Sequence, residues 1–157
     1  MNIKNILGIG FFLSLSIFSL YSMHESVHEK RQRLMRSILD NNLYAVRTIL
    51  NEGLNPNFYW GSYTTPLIRA ISENNYNIVK VLLDNRANPN FAKRIEFRPF
   101  YEAALENNIP IMELLIQRGA NWRVHYDAIV YDQGTFIAEP TKRWLKEYAT
   151  PQPRGAE

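Results

Sequence analysis

Cysteine is absent from the 157 residues of this chain, so disulfide bonds and thiolate metal sites are excluded. Stability therefore has to come from side-chain packing alone. The sequence also lacks a Gly-rich phosphate loop, a nucleophile elbow and a paired-carboxylate motif. These absences argue against an enzyme, and no catalytic residue, cofactor or metal ligand is predicted.

A large excess of charge of one sign is also missing, because 18 Lys and Arg residues face 15 Asp and Glu residues, for a net charge of +3. The densest basic run consists of Lys30, Arg31, Arg33 and Arg36. Glu25 and Glu29 flank this run, and such interleaving is typical of a solvated helix face, so nucleic-acid binding is not predicted. An apolar content of 46% indicates one globular domain with appendages.

Residues 6–23 carry no charge, and only Lys4 and the amino terminus precede them as positive charges. This layout favours a secretory signal peptide cleaved after Ser22. The alternative is an uncleaved membrane anchor, since the segment reaches the short end of the roughly 17–25 residues that span a bilayer. A buried core helix is disfavoured because every face is apolar. The chain is expected to be exported, periplasmic or secreted, if residues 1–23 are cleaved, and membrane-anchored otherwise.

A repeat of 33 residues runs through the middle of the chain. Asn41-Asn42 recurs as Asn74-Asn75 and as Asn107-Asn108. Two further sets keep the same spacing: Leu50, Leu83 and Ile116, and Gly53, Arg86 and Gly119. Apolar residues within each copy are spaced as on two helices. Because asparagine tolerates a left-handed backbone, each Asn pair is predicted to end the first helix and turn the chain into the second. Gly53 and Gly119 are predicted to end the second helix, where Arg86 stands in the middle copy.

These copies resemble the ankyrin repeat family. The segments TPLIRAI (65–71), IVKVLL (78–83) and ANPN (87–90) are similar to the family's TPLHxAA opening, second helix and ADVN ending. Ile68 and Tyr101 replace the usual histidine. The resemblance covers residues 34–122 and implies an all-α solenoid of helix-turn-helix units. The three repeats occupy approximately 26–57, 58–90 and 91–122, within a repeat domain of 24–122.

Both ends of such a stack need caps, because each unit leaves an apolar face open. At the front, a longer helix is predicted over 26–41. At the back, residues 123–149 are predicted to form a cap whose helix starts at Glu139-Pro140. Apolar runs around Asp132-Gln133-Gly134 predict a short β-hairpin near 129–137. Residues 150–157 are predicted to be a disordered tail.

One short motif suggests a different function. His24-Glu25-x-x-His28 matches the H-E-x-x-H pattern of zinc metalloproteases, in which both histidines share one helix face. However, Ser26 and Glu29 have the spacing of a capping box, which would start the helix at Ser26 and leave His24 outside it. A zinc metalloprotease is therefore kept as a remote alternative, and solvated histidines are the favoured interpretation.

The resemblance implies a protein-binding module that contacts its partner through loop tips and first helices. The family's variable contact positions fall on Gly61, Ser62, Thr64, Ser72, Glu73, Arg94, Ile95, Phe97, Leu105 and Glu106. Trp60 and Tyr63 are added because aromatic residues with a polar tip favour interfaces, and both are expected to face outward. The predicted partner is a protein of unknown identity, and membrane contact is expected only through an uncleaved N-terminal segment. The alternative is a structural, self-associating stack.

Overall fold

The computed structural model describes residues 25–94, 98–131 and 137–150. Within these ranges the α-helices are α1 (Val27–Leu39), α2 (Leu43–Asn51), α3 (Pro66–Ser72), α4 (Tyr76–Asp84), α5 (Pro99–Leu105), α6 (Ile109–Gln117), α7 (Tyr126–Val130) and α8 (Glu139–Ala149). A short 3-10 helix, Trp122–His125, precedes α7. None of the described helices combines the length and apolar character needed to cross a membrane. The predicted signal peptide or anchor (1–23) and residues 151–157 of the predicted tail lie outside the described residues.

The helices form two rows. α1, α3 and α5 pack side by side in one row, and α2, α4 and α6 form the other. Each helix of the first row also packs against the helix that follows it in the chain. One hydrophobic core runs between the rows, from Leu34 in α1 to Leu145 in α8. The predicted all-α stack of helix-turn-helix units is therefore confirmed.

The corner between the two helices of each unit is built from an asparagine pair, as predicted. The first asparagine has a left-handed backbone, with φ of 54° at Asn41, 56° at Asn74 and 54° at Asn107. The second asparagine caps the following helix through its side-chain oxygen, which accepts a hydrogen bond from the amide three residues ahead. These bonds join Asn42 to Ala45, Asn75 to Ile78 and Asn108 to Ile111, at 2.9–3.0 Å. The same turn chemistry is thus repeated three times.

The end of each second helix also needs a left-handed residue. Gly53 and Gly119 supply it with φ of 86° and 85°, and Arg86 adopts φ of 66° at the equivalent position. The predicted terminating role of all three positions is confirmed. An arginine in this region carries a steric cost of about 1–2 kcal/mol, because its Cβ approaches the following carbonyl oxygen.

Asparagine side chains also join neighbouring units. The Asn75 side-chain amide donates to Asn41 Oδ1, and that of Asn108 donates to Asn74 Oδ1. Asn107 Oδ1 accepts from the backbone N–H of Ala138, immediately before α8, at 2.5 Å. The C-terminal cap therefore continues the same row of hydrogen bonds.

A second set of asparagine bonds runs along the loops. Asn57 donates to the carbonyl of Arg86 at 2.9 Å and accepts from the amide of Asn88 at 2.7 Å. Asn90 repeats this pattern one unit later with Gly119 at 2.9 Å and Asn121 at 2.8 Å. Each loop is thereby tied to the end of the next second helix.

The N-terminal cap agrees with the sequence prediction. Ser26 Oγ accepts from the Glu29 amide at 3.2 Å, and the Glu29 carboxylate accepts from the Ser26 amide at 2.7 Å. This capping box starts α1, which extends over 13 residues. The predicted longer first helix is confirmed.

The β-hairpin predicted near 129–137 is wrong in its first strand. Ile129 and Val130 lie in α7, where both are buried, and α7 packs against α8. Their β-branched side chains fit the core of the last unit equally well from a helix, so tertiary packing overrides the local preference. Residues 132–136 of the expected hairpin lie outside the described residues.

Candidate binding surface

The loop that follows the first unit ends in a tight turn. The Trp60 amide donates to the Thr64 carbonyl at 2.8 Å, and these two residues form an isolated antiparallel β-bridge that closes the turn. Gly61 has φ of 70°, and no atom lies within 4 Å of the position a Cβ would take. Backbone conformation, not lack of space, therefore makes glycine favourable here. The turn leaves Ser62 and Tyr63 exposed at its tip.

The base of this loop is fixed against α1. Phe58 is buried, with the Arg31 guanidinium 4.8 Å from its ring centre. Trp60 is half-buried against the core and stacks on His28, with ring centres 6.4 Å apart. The outward orientation expected of Trp60 is therefore wrong, because α1 covers part of the indole. Trp60 supports the turn and leaves only part of its surface open.

Side chains of the next loop pack onto this one. The rings of Tyr59 and Phe91 stack with centres 4.7 Å apart and planes 21° from parallel. Lys93 Nζ lies 4.7 Å from the centre of the Tyr59 ring and 6.0 Å from that of Tyr63. The Arg94 guanidinium lies 5.5 Å from the Tyr63 ring centre. Two neighbouring loops are thus joined by one group of side chains, here called the aromatic–cation cluster: Tyr59, Tyr63, Phe91, Lys93 and Arg94.

The outer part of the aromatic–cation cluster is open to solvent. Tyr63 is 38% exposed, and Lys93 and Arg94 are exposed as well. Tyr59 and Phe91 are half-buried beneath them. A cation held over a ring face keeps its N–H groups available to a further partner, because the ring interacts through its quadrupole. The cluster can therefore offer both ring surface and positive charge to a ligand.

The remaining predicted contact residues differ in their exposure and in the contacts they make within the chain. Ser72 Oγ donates to Glu102 Oε1 at 2.5 Å and so connects α3 to α5. Leu105 is half-buried and packs against the core. Glu73 and Glu106 are exposed at the ends of α3 and α5, and Glu73 pairs with Arg69 at 3.5 Å.

Thr64 is half-buried in the turn of the first loop. Ile95 and Phe97 lie outside the described residues. Of the predicted contact set, the structure brings Gly61, Ser62, Tyr63 and Arg94 together at the loop tips.

The predicted contact set leaves out Tyr59, Phe91 and Lys93; the sequence instead favours packing of Tyr59 and Phe91 between adjacent loops, which their stacked rings confirm. A signal was available in the repeat spacing, because Phe91 follows Tyr59 by 32 residues, close to the 33-residue period. Residues one period apart lie on neighbouring units, where their side chains can touch. Spacing alone does not show which way each ring turns, so the stacking of the two rings required the structure.

The residues of the H-E-x-x-H pattern do not share one helix. The helix α1 begins at Val27 with Ser26 as its N-cap, so Glu25 precedes it. Glu25 forms an ion pair with Arg33, and His28 lies 3.1 Å from the Gln32 side-chain amide. His24 lies outside the described residues. Among the residues that the structure describes, no group of three or more His, Asp or Glu side chains could hold a metal ion.

Comparison with protein families agrees with this architecture. A family model described as ankyrin repeats, in three copies, matches residues 34–126, which is more than half of the chain. The match begins within α1 and ends at the first residue of α7, so it includes the loops that carry the aromatic–cation cluster. No curated protein matches the sequence.

Proposed function

This chain belongs to the ankyrin repeat family, and from that premise we propose that it binds a protein partner through the tips of the two loops between its repeats. Ankyrin repeats are protein–protein interaction modules and are generally not enzymatic. The observation that carries the proposal is the aromatic–cation cluster, which gathers three aromatic rings and two cations from neighbouring loops.

The chemistry of the aromatic–cation cluster suits an interface. Tyrosine and arginine dominate binding energy in many interfaces, because they combine contact area with polar groups. The Tyr59–Phe91 stack and the loop hydrogen bonds of Asn57 and Asn90 hold both loops before a partner arrives. Such preorganisation lowers the entropy cost of binding. Glu73 and Glu106 lie at the ends of α3 and α5 opposite the loops and are proposed to bound the site on that side.

The proposal is tested by selecting displayed random peptides on the immobilised full-length chain. Selected peptides are then measured against Tyr63→Ala/Arg94→Ala and against Tyr44→Ala/Arg47→Ala. The second variant removes the same residue types from the exposed surface of α2. We expect affinity to fall about tenfold or more for the loop variant, since interface hot spots contribute about 2 kcal/mol or more, and to stay unchanged for the control. Equal binding to both variants would show that the loop tips are not the site.

We also propose that residues 1–23 export the chain or hold it at a membrane. The support is their uncharged stretch behind a single lysine. Amino-terminal sequencing of the protein from its native cells distinguishes the outcomes. A mature chain beginning at Met23 indicates cleavage after Ser22, and an intact chain in the membrane fraction indicates an anchor. An intact chain in the cytosolic fraction would contradict both.

A further inference from the structure

We propose that the partner segment recognised by the aromatic–cation cluster is acidic, with Asp or Glu carboxylates that pair with Lys93 and Arg94. This inference rests on the proposed function and specifies the chemistry of the partner. It starts from the two cations, which stand side by side at the loop tip and are both exposed.

Within the described part of the chain, aromatic rings and not acids contact each of the two cations. Lys93 Nζ lies near the rings of both Tyr59 and Tyr63, and Arg94 lies near the Tyr63 ring. No salt bridge among the described residues involves Lys93 or Arg94. The rings therefore orient the N–H donors of Lys93 and Arg94, and no carboxylate among the described residues accepts from them. An incoming carboxylate would find both cations already in place, so little side-chain entropy would be lost.

The loop that carries Lys93 and Arg94 has a positive net charge, because residues 85–98 contain four Lys or Arg residues and one acid, Glu96. Residues 53–72, which include α3 and all of the first loop after Glu52, contain no Asp or Glu, and Glu52 pairs with Lys30 at 3.2 Å. Arg31 adds a third cation at the base of the same loop, over Phe58. A surface with two exposed cations and one supporting cation attracts carboxylates and disfavours basic segments.

The size of this positive area favours an acidic protein segment over a nucleic acid. Nucleic-acid binding draws much of its affinity from many Lys and Arg contacts to phosphates, whereas the described loop tip offers two exposed cations. Glu73 and Glu106 are exposed on the adjoining helices and would repel a long polyanion laid across the repeats. A short segment with a few carboxylates can pair with the cations and avoid these acids. Apolar or aromatic residues between its carboxylates can pack on the open part of Tyr63.

The first test uses fluorescein-labelled poly-L-glutamate as the probe and poly-L-glutamine as the uncharged reference, with the full-length chain at low salt. Lys93→Glu/Arg94→Glu is compared with Arg47→Glu/Lys146→Glu, which changes the net charge equally at exposed positions of α2 and α8. We expect the wild type and the control to bind poly-L-glutamate, and the loop variant to bind at least about tenfold more weakly. Lys93→Arg/Arg94→Lys should keep the binding. Raising the salt from about 0.05 M to about 0.3 M should weaken it, because the Debye length shortens.

Three results would overturn the inference. The first is that poly-L-glutamate binds no better than poly-L-glutamine. The second is that the loop variant binds poly-L-glutamate as well as the control does. The third is that single-stranded DNA competes more strongly than unlabelled poly-L-glutamate. The last result would indicate phosphate recognition instead. Far-UV circular dichroism and thermal unfolding of both charge-reversal variants show that a loss of binding is not a loss of fold.

The peptides selected by display separate this inference from the proposed function. If they are rich in Asp and Glu and lose affinity for Lys93→Glu/Arg94→Glu, both proposals are supported. If they depend on Tyr63 but contain few acids and still bind the charge-reversal variant, the acidic partner is wrong and loop-tip binding stands. If they bind independently of Tyr63, Lys93 and Arg94, both proposals fail.

Discussion

At the scale of single residues, the turns of this protein depend on side chains that accept a left-handed backbone. Three corners use asparagine and two of the three second-helix ends use glycine, while Arg86 occupies the third. A Cβ added at Gly119 would meet no atom within 4 Å. The difference between Gly119 and Arg86 is therefore a difference in backbone energy and not in packing.

Arg86→Gly is expected to raise the free energy of unfolding by about 1 kcal/mol, because glycine removes the clash of a Cβ at φ of 66°. The reciprocal change, Gly119→Ala, is expected to lower it by a similar amount. Urea unfolding followed by circular dichroism measures both. A destabilised Arg86→Gly variant would show that the arginine side chain makes a contribution larger than the backbone cost.

Asn75 allows two roles of one side chain to be separated. Its Oδ1 caps α4, and its Nδ2 donates to Asn41 in the preceding unit. Asn75→Ala removes both bonds and is expected to lower the free energy of unfolding by about 1–2 kcal/mol. Asn75→Asp keeps the cap and replaces the donor with an acceptor, to which the Asn41 amide can donate after turning about its last side-chain bond, so less than half of that loss is expected. Equal losses in urea unfolding would show that the bond to Asn41 dominates.

At the scale of helices, ion pairs connect helix ends that lie outside the hydrophobic core. Asp84 at the end of α4 binds Lys80 on the same helix at 2.8 Å and Arg118 after α6 at 2.7 Å. Hydrogen bonds from Lys80 and Arg118 hold the pKa of Asp84 below its ordinary value of 3.8. Likewise, the Ser26 amide and hydroxyl hold the pKa of Glu29 below its ordinary value in the capping box of α1. Both carboxylates therefore stabilise the fold more in the ionised form than in the protonated form.

The pH dependence of stability follows from the direction of the Asp84 shift. Because the folded pKa is lowered, the stabilisation is complete above the unfolded value and is lost as the pH falls through the folded value. Asp84→Asn is expected to cost less than about 1 kcal/mol at pH 7, since the pair is partly exposed, and the difference from wild type should narrow at about pH 3. Urea unfolding at both pH values measures this.

Glu113→Gln is the matched control for Asp84, because Glu113 is exposed on α6 and forms no ion pair among the described residues. Its difference from wild type should be small at both pH values. A deficit of Asp84→Asn that stays the same at low pH would contradict an ionic origin of its contribution.

At the scale of the whole molecule, stability comes from contacts between successive layers. Each row of helices continues from one unit to the next; at the C-terminal end the 3-10 helix packs on α5 and on α7, and α7 packs on α8. Leu145 on α8 is fully buried, and Ala138 before α8 joins the row of asparagine bonds through Asn107. The cap thus takes the place that a further repeat would occupy, which is how a repeat stack avoids an open apolar end.

Leu145→Ala is expected to lower the free energy of unfolding by about 2–5 kcal/mol, because it leaves a cavity in the cap. Lys146→Ala, at the exposed neighbouring position, should change stability little. Circular dichroism and tryptophan fluorescence should give the same urea midpoint if the cap and the repeats unfold together. In a Trp60→Phe background, where the remaining tryptophans are Trp122 and Trp144 at the C-terminal end, a fluorescence midpoint that differs from the circular dichroism midpoint would show that α8 is not coupled to the stack.

Much of the fold was predictable because its signals are local. The left-handed corners at Asn41, Asn74 and Asn107 follow from the steric limits of single residues, and Ser26 with Glu29 marks the start of α1 within four residues of chain. The helix of Ile129 and Val130 was not predictable in this way. A short β-branched run has no fixed conformation until its neighbours decide which face is buried.

The sequence by itself determined the 33-residue period, the chemistry of the corners and the residues that end each helix, since these depend on backbone sterics and on spacing along one chain. Only the tertiary structure decided that Trp60 stacks on His28 of α1, that Tyr59 stacks on Phe91, and that Lys93 contacts rings of the preceding loop. Such contacts join residues far apart in the chain. Their geometry is set by how one unit rotates onto the next, which spacing alone does not specify.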